Sequence, residues 1–347
     1  MIGVSKEQVV KSKEFKRKLP VNLSIENINH FNVNLKYRCP DLFIFYFKSV
    51  YFLPDNTLFL YKIWPLGISF PYYKKRLRHH SIKGLFDIQR SWRNLILGKA
   101  LKPYVTIHDP WTSNYYHWMT QALPRLLMVL KKGISFTLLL PETHCTEFHN
   151  KSLEVLGIEN WTTFEVDKIY FKVFNLVYPA HDIQIGDYND DLMIELSLAL
   201  KKGLRTKKER NYLFVHRVSK NVRRIVNEEE VLSTFLSWGF KIVNFETLSF
   251  DEQRIIAGEA SIMAGVHGAG LTNMFFMEKG SKVLELMSLL NGEQYYYFTL
   301  SNALGHDYYY QECKPEVGGK SIQETNLIVN IEQLNRNIEL MVKQDNG

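Results

Sequence analysis

Three cysteines in 347 residues, Cys39, Cys145 and Cys313, are too few, too scattered and odd in number for a disulfide framework. No CxxC pair offers a zinc site. Long apolar runs are missing as well, and no window approaches the ~20 residues that a membrane-spanning helix needs. The first twenty residues, MIGVSKEQVVKSKEFKRKLP, carry charge without an apolar core, so we expect no signal peptide and a cytoplasmic location. Two phosphate-binding fingerprints are absent, the Walker loop and GxGxxG. The second absence counts against an oxidoreductase or methyltransferase of the Rossmann type. The basic residues are spread along the chain with no nucleic-acid motif, so no nucleic-acid partner is expected. A convincing DxD at a strand end is also lacking. Asp190 and Asp191 adjoin a helix start, where capping explains them, so no metal is required.

What remains is the composition of a soluble globular chain, 46% hydrophobic and 23% charged, long enough for two domains. The net charge of +7 points to anionic partners such as nucleotide diphosphates, acidic glycans or a membrane surface. From Leu42 the text is β-like (LFIFYFKSVYFL, then TLFLYKIW), a hairpin or meander. FPYYKKRLRHH follows, with Lys74, Lys75, Arg76, Arg78, His79 and His80 behind paired tyrosines. We read it as a solvated basic loop, with contact to an anionic acceptor or to lipid headgroups at the inner membrane face as the sharper alternative.

A strand at Tyr104–Ile107 leads into HDPWTSNYYHWMTQALPRLLMVL. Ser113 or Asn114 is a good N-cap. Trp118, Ala122, Leu126 and Val129 share one helical face and should pack on a sheet. His117, Thr120, Gln121 and Arg125 share the other, which is expected to line a cleft. Pro124 should kink this helix or mark an irregular turn. Strands at 135–141 and 164–180 and a helix at 145–158 predict a parallel sheet with crossovers. A helix from Asp190 runs into a basic segment, Lys201–Arg210, taken as the interdomain linker.

The later half alternates cleanly. Strands are expected at 212–217, 241–246, 261–266, 282–287 and 307–312, with helices at 227–239, 249–260, 270–278 and 293–305. Asn227 and Ser249 carry Glu230 and Glu252 three residues on, the capping-box spacing, and Gly239 is a helix stop. A last amphipathic helix spans 330–342. The expected domains are therefore 1–205, 206–325 as a Rossmann-like unit, and 326–347 as a helix packing back on the first.

The most informative stretch is SIMAGVHGAGLTNMFFMEKGSKVLELM, Ser261 to Met287. Strand, glycine turn and helix is how open α/β sheets build a phosphate site, with close backbone approach and N–H groups at the positive end of the helix dipole. His267, Gly268, Ala269, Gly270, Leu271, Thr272, Asn273, Phe276, Gly280 and Glu285 at this spacing resemble the signature of glycosyltransferase family 61. The stretch NYYHWMTQALPRL resembles that family's first-domain motif. The resemblance implies an α/β fold of GT-B architecture, two facing Rossmann-like domains with a cleft. It also implies sugar transfer with inversion from a nucleotide-diphosphate donor, most often a UDP-sugar.

On this reading the donor meets the carboxyl edge of the second sheet. Arg217 and the backbone of Gly268, Ala269, Gly270 and Leu271 would hold the diphosphate, with Arg224 favoured over Arg223 as a second cation. His267, Asn273, Phe245 and Glu246 complete the donor set, and Glu285 would accept from ribose or sugar hydroxyls. Asn114, Tyr116 and Arg125 are the acceptor candidates. The general base is His117, with Asp109 second. The expected acceptor is a glycan or lipid-linked glycan in bacterial surface polysaccharide synthesis. The alternatives are a protein O-glycosyltransferase and a non-catalytic nucleotide- or glycan-binding relative.

Overall fold

Apolar and aromatic runs of the first half become strands β1 (Val4–Val10), β2 (Lys13–Lys16), β3 (Lys36–Cys39), β4 (Leu42–Phe52), β5 (Leu58–Leu60) and β6 (Trp64–Pro65). After them come β7 (Leu95–Leu97), β8 (Tyr104–Val105), β9 (Thr137–Pro141), β10 (Trp161–Phe164) and β11 (Phe171–Pro179). The structure is a computed structural model. It describes residues 3–32, 35–52, 58–60, 64–65, 95–97, 102–159, 161–166, 171–180, 183–205, 210–217, 224–289, 295–316 and 326–346. The basic stretch Tyr72–His80 and Arg223 lie outside the described residues. Among the described residues, no helix is long and apolar enough to cross a membrane.

The chain divides into two units, Met1–Glu14 with Arg38–Ile185, and Phe15–Tyr37 with Gly186–Gly347. In the first, a sheet runs in the order β10-β9-β8-β11-β4-β5-β6, with β1 on β4 and β7 on β11. Its half from β10 to β11 is parallel, as expected from strands that alternate with helices. The half from β11 through β4 to β6 is antiparallel, so the sheet is mixed rather than wholly parallel. The few residues between β4 and β5 can serve only an antiparallel neighbour, because a parallel return needs a long crossover.

In the second unit, β12 (Asn211–Val215), β13 (Phe240–Val243), β14 (Ala260–Val266), β15 (Lys282–Met287) and β16 (Asp307–Glu312) form one parallel sheet in the order β13-β12-β14-β15-β16. Every residue of β15 is buried, as befits a central strand covered on both faces. The chain starts on β12, moves outward to β13, then returns to the other side at β14. The strand order therefore reverses between β12 and β14, the place where such sheets bind ligands. Helices Glu228–Ser237 and Ile331–Asn346 cover one face, where Val231, Phe235, Leu334, Ile338 and Met341 join Phe214, Leu284 and Leu286 in a core.

The boundaries differ from the expected ones. Helix Asp190–Leu200 belongs to the second unit. Ser197 donates to the Phe275 carbonyl at 2.6 Å, and Lys201 to that of Met277 at 3.1 Å. Arg254 donates to the carbonyls of Leu200 and Lys202. The basic segment anticipated as a linker is thus anchored at its start by backbone carbonyls that accept from a buried arginine. The C-terminal helix, expected to pack back on the first domain, belongs to the second unit and packs on its sheet. The buried Lys282–Asp345 ion pair (2.8 Å) and the Ser261–Asp345 hydrogen bond fasten its end. Val21 and Asn22 guard the edge of β16. Val21 donates to the Tyr308 carbonyl, and the Asn22 side-chain amide both accepts from Tyr310 N–H and donates to its carbonyl. One amide thereby imitates the missing neighbour strand.

Candidate functional site

Local chemistry sets the carboxyl edge of the second sheet. After β12 come His216, whose Nε2 lies 2.8 Å from Glu228 Oε1, and Arg217. The Arg217 Nη1 is buried and, among the described residues, has no hydrogen-bond partner. It lies 3.4 Å from where a Cβ on Gly268 would stand. A guanidinium nitrogen kept from water without an acceptor is costly, and an incoming anion would relieve that cost. Gly268 is extended (φ 170°) and a Cβ there would stand at ordinary contact distance from its neighbours, so neither strain nor packing demands glycine at this position. Gly270 is required by packing, since a Cβ there would sit 2.7 Å from Val215 Cγ1. The turn continues as a 3-10 helix, Ala269–Phe276, where an α-helix was expected. Ala269 and Gly270 N–H open that helix and have no carbonyl inside it to bond. Leu271 N–H, by contrast, already donates to Gly268 O at 3.0 Å, so it leaves the expected phosphate set.

Other donor candidates prove to be builders of the turn. Asn273 is buried and donates to Gly270 O and Gln253 Oε1, both at 3.2 Å. Phe245 is buried beside Gly270 in a 3-10 turn capped by Asn244, which accepts from Glu246 N–H. Glu246 itself is exposed. Arg224 is exposed, and its backbone is tied to Asn326 and Leu327; no described contact brings its side chain to Arg217. Glu285, expected to meet sugar hydroxyls, is fully buried and turned to His267 Nδ1 and to the Tyr308 hydroxyl.

In the first unit, β8 leads into the loop Thr106–Asn114. Asn114 caps the next helix by accepting from Tyr116 N–H at 3.0 Å. The helical run then widens into a π-helical turn, Trp118–Ala122, before the α-helix Leu123–Leu130. Pro124 accounts for the irregularity, because it has no N–H and its ring crowds the carbonyl four residues back. The apolar face is buried as predicted. The polar face is buried too, where a cleft lining was expected: Thr120, Gln121 and Arg125 are all under one-tenth exposed. Arg125 pairs with Asp109 Oδ2 at 3.1 Å, both side chains buried. Asp109 Oδ1 accepts from Trp111 and Thr112 N–H. Asp109 therefore holds its loop and is committed to Arg125, and it is poorly placed to act as a base. Arg125 and Tyr116, both buried, are structural rather than acceptor contacts.

His117 is different. It is half-buried, with Nδ1 2.7 Å from Gln121 Oε1. An amide oxygen only accepts, so Nδ1 carries the proton and Nε2 keeps its lone pair. Burial pushes the His117 pKa down, against the opposing pull of Gln121 and Asp109, which keeps the ring neutral at pH 7. A neutral imidazole with an available Nε2 is the form a general base needs. Trp111, 43% exposed, lies 6.1 Å from His117, ring centre to ring centre. It was not singled out from sequence. An indole in a loop of polar residues, flanked by Pro110 and Thr112, was the available signal.

Behind His117, three further histidines are buried and held by threonines. His108 faces Thr106, His144 faces Thr112 Oγ1, and His149 faces Thr146 Oγ1. Burial pushes His144 down to about 4 and His149 to about 3. Among the described residues, no group of three or more His, Cys, Asp or Glu is gathered to hold a metal ion.

The family profile described as Glycosyltransferase 61 matches residues 115–284. That span opens at the helix bearing His117, runs through Arg217 and the glycine turn, and ends halfway along β15, before Glu285. No curated protein matches the chain. The family's activity is the transfer of a sugar from a nucleotide-sugar donor to a glycan acceptor. On the profile match, residues 115–284 belong to glycosyltransferase family 61.

Proposed function

We propose that this glycosyltransferase is an inverting enzyme that takes its sugar from a UDP-linked donor. The observation that carries the reading is the buried, unpartnered Arg217 Nη1 beside Gly268, at the reversal of strand order between β12 and β14. Arg217 and the N–H groups of Ala269 and Gly270 would hold the diphosphate and offset the charge it gains on leaving. Inversion requires a single displacement. The acceptor hydroxyl oxygen forms its bond to the anomeric carbon as the carbon–oxygen bond to the diphosphate breaks. The bonding pair stays with the diphosphate, and the acceptor proton passes to His117 Nε2. The charge is met by side-chain and backbone donors, so transfer is proposed to need no metal. The GT-B arrangement implied by the family resemblance belongs to the same reading. So does an acceptor in bacterial surface polysaccharide synthesis, lipid-linked or free, met at the inner face of the membrane. Beside His117, the exposed Trp111 indole offers the flat apolar surface on which a sugar ring stacks.

A thermal-shift series with UDP, GDP, CMP, NAD and S-adenosylmethionine, run without added metal, tests the donor. At a hundredfold excess over its Kd, a ligand that binds only the folded state adds about 2.7 kcal/mol of stability. The expected result is a rise with UDP that disappears in Arg217→Ala. A rise with NAD or S-adenosylmethionine alone would sink the reading. Retention of full activity in EDTA checks metal independence.

A further inference from the structure

Arg217 is not alone at the carboxyl edge of the second sheet in holding an unmet donor. Ser288 is the first residue past β15 and is 5% exposed. Its Oγ is buried and, among the described residues, has no hydrogen-bond partner. The neighbouring backbone is already spoken for. Cys313 N–H donates to Met287 O at 2.7 Å on the β16 side, and His267 N–H donates to Leu286 O at 3.0 Å on the β14 side. Side chains alternate along a strand. Leu284 and Leu286 enter the core under the covering helices, so alternation carries Ser288 to that face, opposite Glu285. A serine hydroxyl turns freely about its bond and can donate or accept, so almost any nearby polar atom would satisfy it. A buried hydroxyl that finds none calls for an explanation. Alanine would occupy the same place without that penalty.

Strand order sets the two unmet donors on either side of the glycine turn. β14, which ends in that turn, lies between β12 and β15. Arg217 follows β12, and Ser288 follows β15. The Arg217 Nη1 already reaches to 3.4 Å from the Cβ position of Gly268. Ser288 stands one strand further along the edge, a spacing of about 4.8 Å. A diphosphate is an elongated anion with acceptor oxygens on both phosphorus atoms, so it can engage donors on both sides of the turn. We propose that Ser288 is a donor-binding residue. Its hydroxyl donates to the diphosphate from the β15 side, as Arg217 does from the β12 side. A hydroxyl facing an anion makes a charge-assisted bond, stronger than one to a neutral acceptor. The inference rests on the nucleotide-diphosphate reading above.

The test takes the full chain as wild type, Ser288→Ala, Ser288→Cys and Arg217→Ala. Each is titrated with UDP by calorimetry and melted without ligand. Ser288→Ala removes a hydroxyl that bonds to nothing in the free protein, so its melting point should equal or exceed that of the wild type. Its UDP affinity should nonetheless fall about tenfold, the value of one well-placed hydrogen bond. Ser288→Cys keeps a similar shape but offers only a weak donor, and should weaken UDP to the same degree. Wild-type affinity in Ser288→Cys would mean that packing, not donation, is what the position supplies, and overturns the proposal. So does a lower melting point or failure to fold in Ser288→Ala, which would show a hydroxyl serving the fold. UDP binding lost in Arg217→Ala but intact in Ser288→Ala overturns the Ser288 assignment and leaves the nucleotide reading standing. Absence of UDP binding in the wild type overturns both.

Discussion

His117 and His267 lie in the two stretches that resemble the family's motifs, and the chain treats them oppositely. His117 sets its Nδ1 against Gln121, an amide that accepts a hydrogen bond but carries no charge, and burial lowers its pKa. His267 sets its Nδ1 against Glu285, a fully buried carboxylate. The first arrangement favours a neutral ring that can take a proton. The second ties the ring to a negative charge that no solvent screens. The partner at Nδ1, more than the histidine itself, assigns the task.

The largest expected effect comes from removing the first ring. His117→Asn should lower turnover by about a hundred- to ten-thousandfold, the usual weight of general acid–base catalysis, while UDP affinity stays at the wild-type value. A parallel loss of UDP binding would erase the distinction between the two histidines. Next comes Arg217→Ala. The loss of a charge-assisted hydrogen bond, worth about 1.5–3 kcal/mol, should weaken UDP by about ten- to a hundredfold, as read by calorimetry.

Gln121→Glu sharpens the contrast by giving His117 the kind of partner that His267 has. A carboxylate there favours the protonated ring, so the acid limb of the turnover–pH profile should move to higher pH. An unmoved limb would mean that another group is the base. The smallest effect concerns stability. His144 and His149 are neutral in the folded chain, with pKa values of about 4 and about 3, below the unfolded value near ~6.5. The stability they contribute is intact above that unfolded value and drains as pH falls from it toward 4. Thermal unfolding midpoints should therefore fall between pH 7 and pH 5, and fall less in His149→Gln.

Much of the second unit was legible because its pattern is local. Apolar strands alternate with capped helices, and Ser249 with Glu252 forms the capping box that its spacing announces. The same spacing at Asn227 and Glu230 misled. Asn227 makes no cap; it donates to Val329 O and accepts from Val329 N–H, because the backbone at Val329 offered both partners. The polar face of the helix at 115–130 misled for a related reason. Periodicity separates polar from apolar residues, but it does not say whether polar ones meet water or, as with Arg125 and Asp109, one another.

By itself the sequence determined the secondary structure of the second unit, the glycine turn at its third strand and the family. These follow from periodicity, capping and steric need within a few neighbouring residues. Tertiary structure alone decided that Arg217 would be left with an unmet donor beside Gly268. It also turned Glu285 inward between His267 and Tyr308, and it brought Asn22 to complete the edge of β16. Each of these joins groups far apart in the chain. A buried charge or an open backbone edge shows what it requires only once the surrounding water has been excluded.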